Sequence, residues 1–204
     1  YVELVGTKEE PATPDAASSL RITFAGTPRV RLVPNMPASG SFQWWSNRGD
    51  ASHSYLERTF DLTDVSTATL SFNLWYDIEK NWDFAYVRAS VDGGDTWQLL
   101  PGAHMQSDDA ILSLGPGYTG RSGTAGDEAE WVREHIDLSA FCGDRVTVRF
   151  DYLTDDAVNA PGLCLDDFNV EALDFEDDVE SGPNGWHAEG FIRHDNRLKQ
   201  NYIL

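Results

Sequence analysis

The sequence predicts an all-β protein, an antiparallel sandwich or barrel, on three observations. Apolar and polar residues alternate with period two in segment after segment. Clusters of Gly, Asp, Asn and Pro separate those segments, as turns require. No stretch of ten residues carries apolar positions at three-four spacing without a Gly, a Pro or a β-branched interruption, so helices are not expected.

The segments follow one another in order. Leu20, Ile22 and Phe24 alternate with Arg21 and Thr23. Leu56, Phe60 and Leu62 share a parity, with Arg58 the exception on that face. Leu70, Phe72, Leu74 and Tyr76 alternate with Ser71, Asn73 and Trp75, and Ala85, Val87, Ala89 and Val91 continue the pattern. Val132, Ile136 and Leu138 come next, then Val146, Val148, Phe150 and Tyr152, and Leu163 to Val170 closes the series. Residues 101–129, rich in Gly, Ser and Asp around a short patch at Ile111 to Leu114, read as a long surface loop. The expected organisation is a lead-in over 1–19, a sandwich over 20–174, and 175–204 as either a return strand or the opening of a further module. Tyr1 is an unusual first residue, so a trimmed or processed N-terminus is expected.

Charge narrows the function. With 34 Asp and Glu against 15 Lys and Arg, the formal net charge is −19, which repels nucleic acid phosphates and anionic membranes. Neither is expected as a partner, and no apolar run is long enough to insert in a membrane. The acidity reads either as a solubilising surface or as carboxylates converging on a hard cation.

The motifs point away from catalysis. None of His53, His104, His135, His187 and His194 lies in a His-Glu-x-x-His pair; Arg133-Glu134-His135-Ile136 is the nearest and fails. There is no Gly-x-Ser-x-Gly, and Cys142 has no evident activating base. Ser90-Val91-Asp92-Gly93-Gly94-Asp95-Thr96-Trp97 fits the Asp-box pattern, and a single copy is expected to be a hairpin device. Arg48-Gly49-Asp50 spells an integrin-type tripeptide that chance supplies easily. Of the acidic pairs 108–109, 155–156, 166–167 and 177–178, Asp166-Asp167 stands out because it interrupts an apolar strand between Leu165 and Phe168. Charge at mid-strand needs compensation, and a bound cation would supply it.

The block from Trp75-Tyr76-Asp77-Ile78-Glu79-Lys80-Asn81-Trp82-Asp83-Phe84 on to Asp92-Gly93-Gly94 and Trp97 resembles the region downstream of the catalytic domain in immune-inhibitor-A-type secreted zinc metallopeptidases. Trp45 to Asp50, Phe60 to Leu62, Asp137 to Phe141, Arg149 to Asp155 and Pro161 to Phe168 extend the likeness over about residues 20–204. The resemblance implies a jelly-roll sandwich of galactose-binding or MAM-like type, an accessory role and a structural calcium. The family's zinc motif is missing, so peptidase activity does not carry over.

Three readings follow. The first is an extracellular, non-catalytic accessory domain whose partner is a parent catalytic domain or a protein or glycan substrate. The second is a carbohydrate- or cell-surface-binding module using exposed tryptophans. The third is a hydrolase built on the carboxylate pairs, for which no acid and base can be assigned. An oxidising compartment and an even cysteine count predict a Cys142–Cys164 disulfide. The calcium site is expected from the Gly49-Asp50 loop and the Asp166-Asp167 strand, with Asp83 or Glu79 as further ligands. Phe168 and Val170 share parity with Asp166, whereas Leu163 and Leu165 share it with Asp167, so alternation leaves open which aspartate faces inward.

Overall fold

The computed structural model describes residues 5–7, 21–23, 25–106, 113–124 and 128–201, with 5–7 and 21–23 as backbone only. The side-chain alternation expected at Leu20, Ile22 and Phe24, most of the 1–19 lead-in, Asp108-Asp109 and Ile111-Leu112 lie outside the described residues. The chain divides into two compact units, Tyr1–Leu32 with Arg197–Leu204, and Val33–Asn196. In the first, β1 (Val5–Thr7) pairs antiparallel with β2 (Arg21–Thr23), and β3 (Arg29–Val30) has its own partner near the C-terminus.

The second unit holds β4 (Gln43–Trp45), β5 (His53–Asp61), β6 (Thr69–Asp77), β7 (Phe84–Ser90), β8 (Gln98–Leu99), β9 (Val132–Asp137), β10 (Arg145–Leu153), β11 (Gly162–Val170), β12 (Phe175–Asp177), β13 (His187–Glu189) and β14 (Ile192–His194). One sheet runs β13-β5-β10-β7-β8 and the other β14-β4-β11-β6-β9, with β12 also on β11. Back in the first unit, β15 (Leu198–Lys199) is the partner of β3. All these ladders are antiparallel, the sandwich expected of a jelly-roll, MAM-like fold. Residues 175–196 return to both sheets: β13 lies beside β5 and β14 beside β4, which covers two strand edges that would otherwise be open to pairing.

Period-two alternation does the sorting into core and surface. Leu70, Phe72, Leu74 and Tyr76 of β6 face Val146, Val148, Phe150 and Tyr152 of β10 across the buried layer. Phe72 meets Phe150 edge-on at 4.9 Å, and Trp186 closes on Phe168 at 4.4 Å.

The parity conflict in β11 is resolved by a bulge. Asp166 sits opposite Asn73 and Asn169 opposite Ser71, so three steps along β11 match two along β6. Asp167 is the extra residue and has φ 49, in the left-handed region that Asp tolerates better than most. Leu163 and Leu165 before it, and Phe168 and Val170 after it, therefore all reach the core. Asp166 turns to the opposite face and is fully buried there, where its Oδ2 accepts the N–H groups of Ala38 (2.9 Å) and Ser39 (3.4 Å) and its Oδ1 that of Asp167 (2.9 Å). Asp167 accepts the Ser39 hydroxyl at 2.6 Å and the Asn73 amide at 2.7 Å.

Two local expectations have different outcomes. The Asp-box closes its turn as a hairpin device: Asp92 accepts Thr96 N–H at 3.0 Å and Thr96 Oγ1 at 2.5 Å, while Gly93 and Gly94 take positive φ. The disulfide is corrected, because Cys142 and Cys164 are both free thiols. Cys142 follows a short 3-10 turn (Ser139–Phe141) and packs against the core between the sheets. Cys164 lies between the core residues Leu163 and Leu165, so strand alternation points it away from that layer, where burial pushes its thiol pKa up and Asn35 is its neighbour. An even cysteine count carries no information about which side of a sheet each thiol occupies.

If the bulge sets the register, deleting Asp167 should turn Phe168 and Val170 out of the core and abolish a cooperative thermal transition. Asp167→Gly keeps the extra residue and the backbone conformation, so it should fold with a loss of about 1–3 kcal/mol from two hydrogen bonds. A cooperative melt from the deletion variant, followed by circular dichroism, would show that the register is set elsewhere.

Candidate functional site

Three loops meet because the strands fix their ends. Leu153 at the end of β10 is in register with His53 at the start of β5 and with Phe84 at the start of β7. The segments before β5 (46–52), before β7 (78–83) and after β10 (154–156) therefore leave the sheet side by side. Ala51 N–H donates to the Asp155 carbonyl and ties the first to the third. Asp155 N–H donates to Asp83 Oδ1 at 3.1 Å and ties the third to the second.

Within this junction Glu79, Asp83 and Asp155 each offer a carboxylate oxygen, all within 4.8 Å of one another. Asp83 is buried and accepts the Tyr152 hydroxyl at 3.1 Å as well as Asp155 N–H. Its N–H closes the turn onto the Glu79 carbonyl at 3.0 Å. Glu79 Oε2 is buried and has no hydrogen-bond partner. Burial, then Asp155, Asp83 and Asp50, push the Glu79 pKa above the usual carboxylate range. Burial and Asp155 push Asp83 up as well, against its hydrogen bonds. Oxygen donors in excess of protons, one of them orphaned, suit a hard cation that takes oxygen ligands. Glu79, Asp83 and Asp155 would hold it, with Asp50 close enough to add to the field.

The residues expected to share one site thus fall in two places. Asp50, Glu79 and Asp83 come to this junction. Asp166 and Asp167 sit four residues along β6 from Asp77, about 13 Å away at the rise of a strand. Asp166 has both oxygens committed to backbone N–H groups, and Arg133 donates to the Asp167 carbonyl at 2.7 Å. Asp155 was missed by sequence reasoning as a ligand; its signal was the Asp155-Asp156 pair ending the apolar run of β10, and only the register joins it to Asp83.

A cleft of about 410 Å³ opens beside the junction and shares Asp155 with it. Phe84 and Tyr86, neighbours on one face of β7 with rings 6.0 Å apart and 16° from parallel, line it. Trp82 and Leu114, 53% and 59% exposed, flank it, and Leu153, Thr154, Asp155 and Asp156 complete it.

Fold and site together define a two-sheet β-sandwich module whose charged loops gather at one end of its central strands. The chain belongs to the immune inhibitor A-like MAM domain family, whose description matches residues 20–196. It is 32% identical over 169 residues to the pre-pro-metalloprotease PrtV of Vibrio cholerae, covering 81% of this chain and 17% of that protein. It is 31% identical over 161 residues to immune inhibitor A of Bacillus thuringiensis subsp. alesti, covering 76% of this chain and 21% of that protein. Bacillopeptidase F of Bacillus subtilis is 24% identical over 139 residues, which is 8% of its length. The chain therefore spans about a fifth or less of each relative.

The raised carboxylates give a signed pH dependence. An acid whose folded pKa exceeds its unfolded value contributes stability while protonated, and that contribution is lost as pH rises through the folded pKa. In chelator, melting temperature should therefore fall more steeply for the parent than for Glu79→Gln as pH rises from the ordinary Glu pKa, about 4.3, toward the raised folded value. Superimposable pH profiles would mean that Glu79 is solvated like any surface carboxylate.

Proposed function

We propose that this chain is a non-catalytic accessory domain of a secreted metallopeptidase, stabilised by calcium and supporting either the catalytic domain or its contact with protein substrate. The observation that carries the reading is the family match over residues 20–196, joined to relatives of which it covers only a small part. One of those relatives is named a metalloprotease and another a peptidase, so similarity confined to one module points to a shared accessory part. The sequence contains no His-Glu-x-x-His, which fits a role beside the chemistry. Extracellular placement is part of the same proposal. Among the described residues no helix is long and apolar enough to cross a membrane, which is compatible with it.

Calcium enters through the Glu79–Asp83–Asp155 group. A cation that binds the folded form alone raises stability by mass action, about 2.7 kcal/mol at a hundredfold excess over Kd. Thermal melting in millimolar calcium should give a midpoint several degrees above that in chelator, and Asp155→Asn should shrink the difference. An unchanged midpoint after confirmed metal removal would exclude a structural cation. The accessory role is tested separately: the purified chain with added zinc should leave casein intact, and cleavage abolished by a chelator would overturn it.

A further inference from the structure

We infer that the cleft between Trp82, Leu114 and Asp155-Asp156 is a docking site for an extended polypeptide segment that carries a large apolar side chain next to a Lys or Arg. The inference rests on the accessory reading above and names the feature of the protein partner that this face would recognise.

Single exposed apolar residues are ordinary on a protein surface, but here two of them flank one concavity. Its size, about 410 Å³, lies within the range of ligand pockets and admits one large apolar side chain with its flanking backbone. Trp82 and Leu114 stand at its edges, and the buried rings of Phe84 and Tyr86 make its interior rigid. Tyr86 also holds its own wall in place, because its hydroxyl accepts the Leu114 N–H at 2.9 Å.

Charge selects among apolar ligands. The charged side chains lining the cleft, Asp155 and Asp156, are both acidic, and Glu79 and Asp83 lie immediately behind Asp155. The chain as a whole carries −19, so the field at this rim is negative well beyond the contact distance. A partner segment with a basic residue beside its apolar anchor gains from that field, whereas an acidic one is repelled. Asp156 is exposed and lies outside the three-carboxylate group, so it stays available to a basic side chain when a cation engages Asp155. A glycan is the weaker match. Among the described tryptophans Trp82 alone is largely exposed, and apart from its indole N–H and the buried Tyr86, Thr154 is the one neutral hydrogen-bonding side chain in the lining.

The test uses the whole chain in millimolar calcium, titrated with a fluorescein-labelled ten-residue peptide alternating Lys and Leu and read by anisotropy. Two control peptides replace Lys by Glu or Leu by Ser, and chito- and cello-oligosaccharides form a further arm. Binding should require both Lys and Leu, and Trp82→Ala should weaken it about tenfold or more, as loss of a buried aromatic anchor does. Asp156→Asn should weaken it at low salt, with the difference vanishing near 1 M salt as charges are screened. Each variant is first shown to keep the parent's melting transition, and the exposed Asp156 decides the outcome should Trp82→Ala fail to fold. Equal binding of the Glu peptide, parent-like affinity in both variants, or oligosaccharide binding at Trp82 without peptide binding would each overturn the assignment. The calcium and casein measurements are unaffected by those outcomes, so failure here leaves the accessory reading standing on its own tests.

Discussion

The placement of β10 between β5 and β7 is the constraint on which the rest of the sandwich depends. It is paired along nine positions with β5 and along seven with β7. Its inward residues, Val148 and Phe150 among them, form the centre of the buried layer. Its outward Asp151 is fully buried and anchors the opposite face by accepting two 2.6 Å hydrogen bonds from Arg88 of β7 and one of 2.7 Å from His53 of β5. Such bidentate, charge-assisted bonds fix register as well as energy. A slip of one residue would expose Phe150 and drive Asp151 into the core, which is far costlier than the observed register.

The molecule holds several buried carboxylates, and their partners show which group could take a cation. Asp151 has Arg88; Asp166 has three backbone N–H groups; Asp177 accepts the Trp186 indole at 2.8 Å. Glu134, pushed up by burial, is brought below its ordinary pKa by the N–H groups of His104, His135 and Ala103 together with the His104 ring. Each of these acids is answered by donors of the fold itself. Glu79 Oε2 is the buried carboxylate oxygen that, among the described residues, is left without one. Acidity as such therefore marks nothing here, and the missing donor is what singles out the Glu79, Asp83 and Asp155 group as a candidate.

What the sequence disclosed and what it withheld divide along the same physical line. Alternation in β6, β7 and β10 is a local property, so the strands and most of their core residues were legible from period two. The glycines and Asp92 of the β7–β8 turn were legible for the same reason, since turn chemistry is written in adjacent residues. The bulge at Asp167 was visible only as a contradiction, two apolar pairs of opposite parity in one strand, and only the pairing with β6 shows that an extra residue reconciles them. The pairing of the cysteines was not legible, and Asp155 showed only as one acidic pair among several at the end of an apolar run. Whether Cys164 can meet Cys142, and whether Asp155 meets Asp83, are questions of which strand ends are neighbours across more than twenty residues of chain. Attaching a cation to Asp166-Asp167 followed the right principle, that charge in an apolar strand needs compensation. The loop at Ala38 and Ser39 supplies part of that compensation from more than 120 residues away, while burial and the neighbouring Asp167 still push the Asp166 pKa up to about 7.

The same geometry joins the acidic group to the cleft. Trp82 stands inside the turn whose ends are Glu79 and Asp83, and that turn is held by the Asp83 N–H on the Glu79 carbonyl and by Asn81 N–H on Thr119 Oγ1 at 2.7 Å. Asn81 has φ 69, so the turn is closed by a residue in the left-handed region, a conformation that persists where its surroundings hold it. Like charges on Glu79 and Asp83, with Asp155 beside them, would push the ends of this turn apart, and a cation between them would draw them together. The backbone that presents Trp82 is the backbone that presents Glu79 and Asp83. Any free energy by which a cation favours one arrangement of residues 79–83 is felt at the Trp82 ring. By linkage, a ligand that prefers that arrangement strengthens cation binding by the same factor.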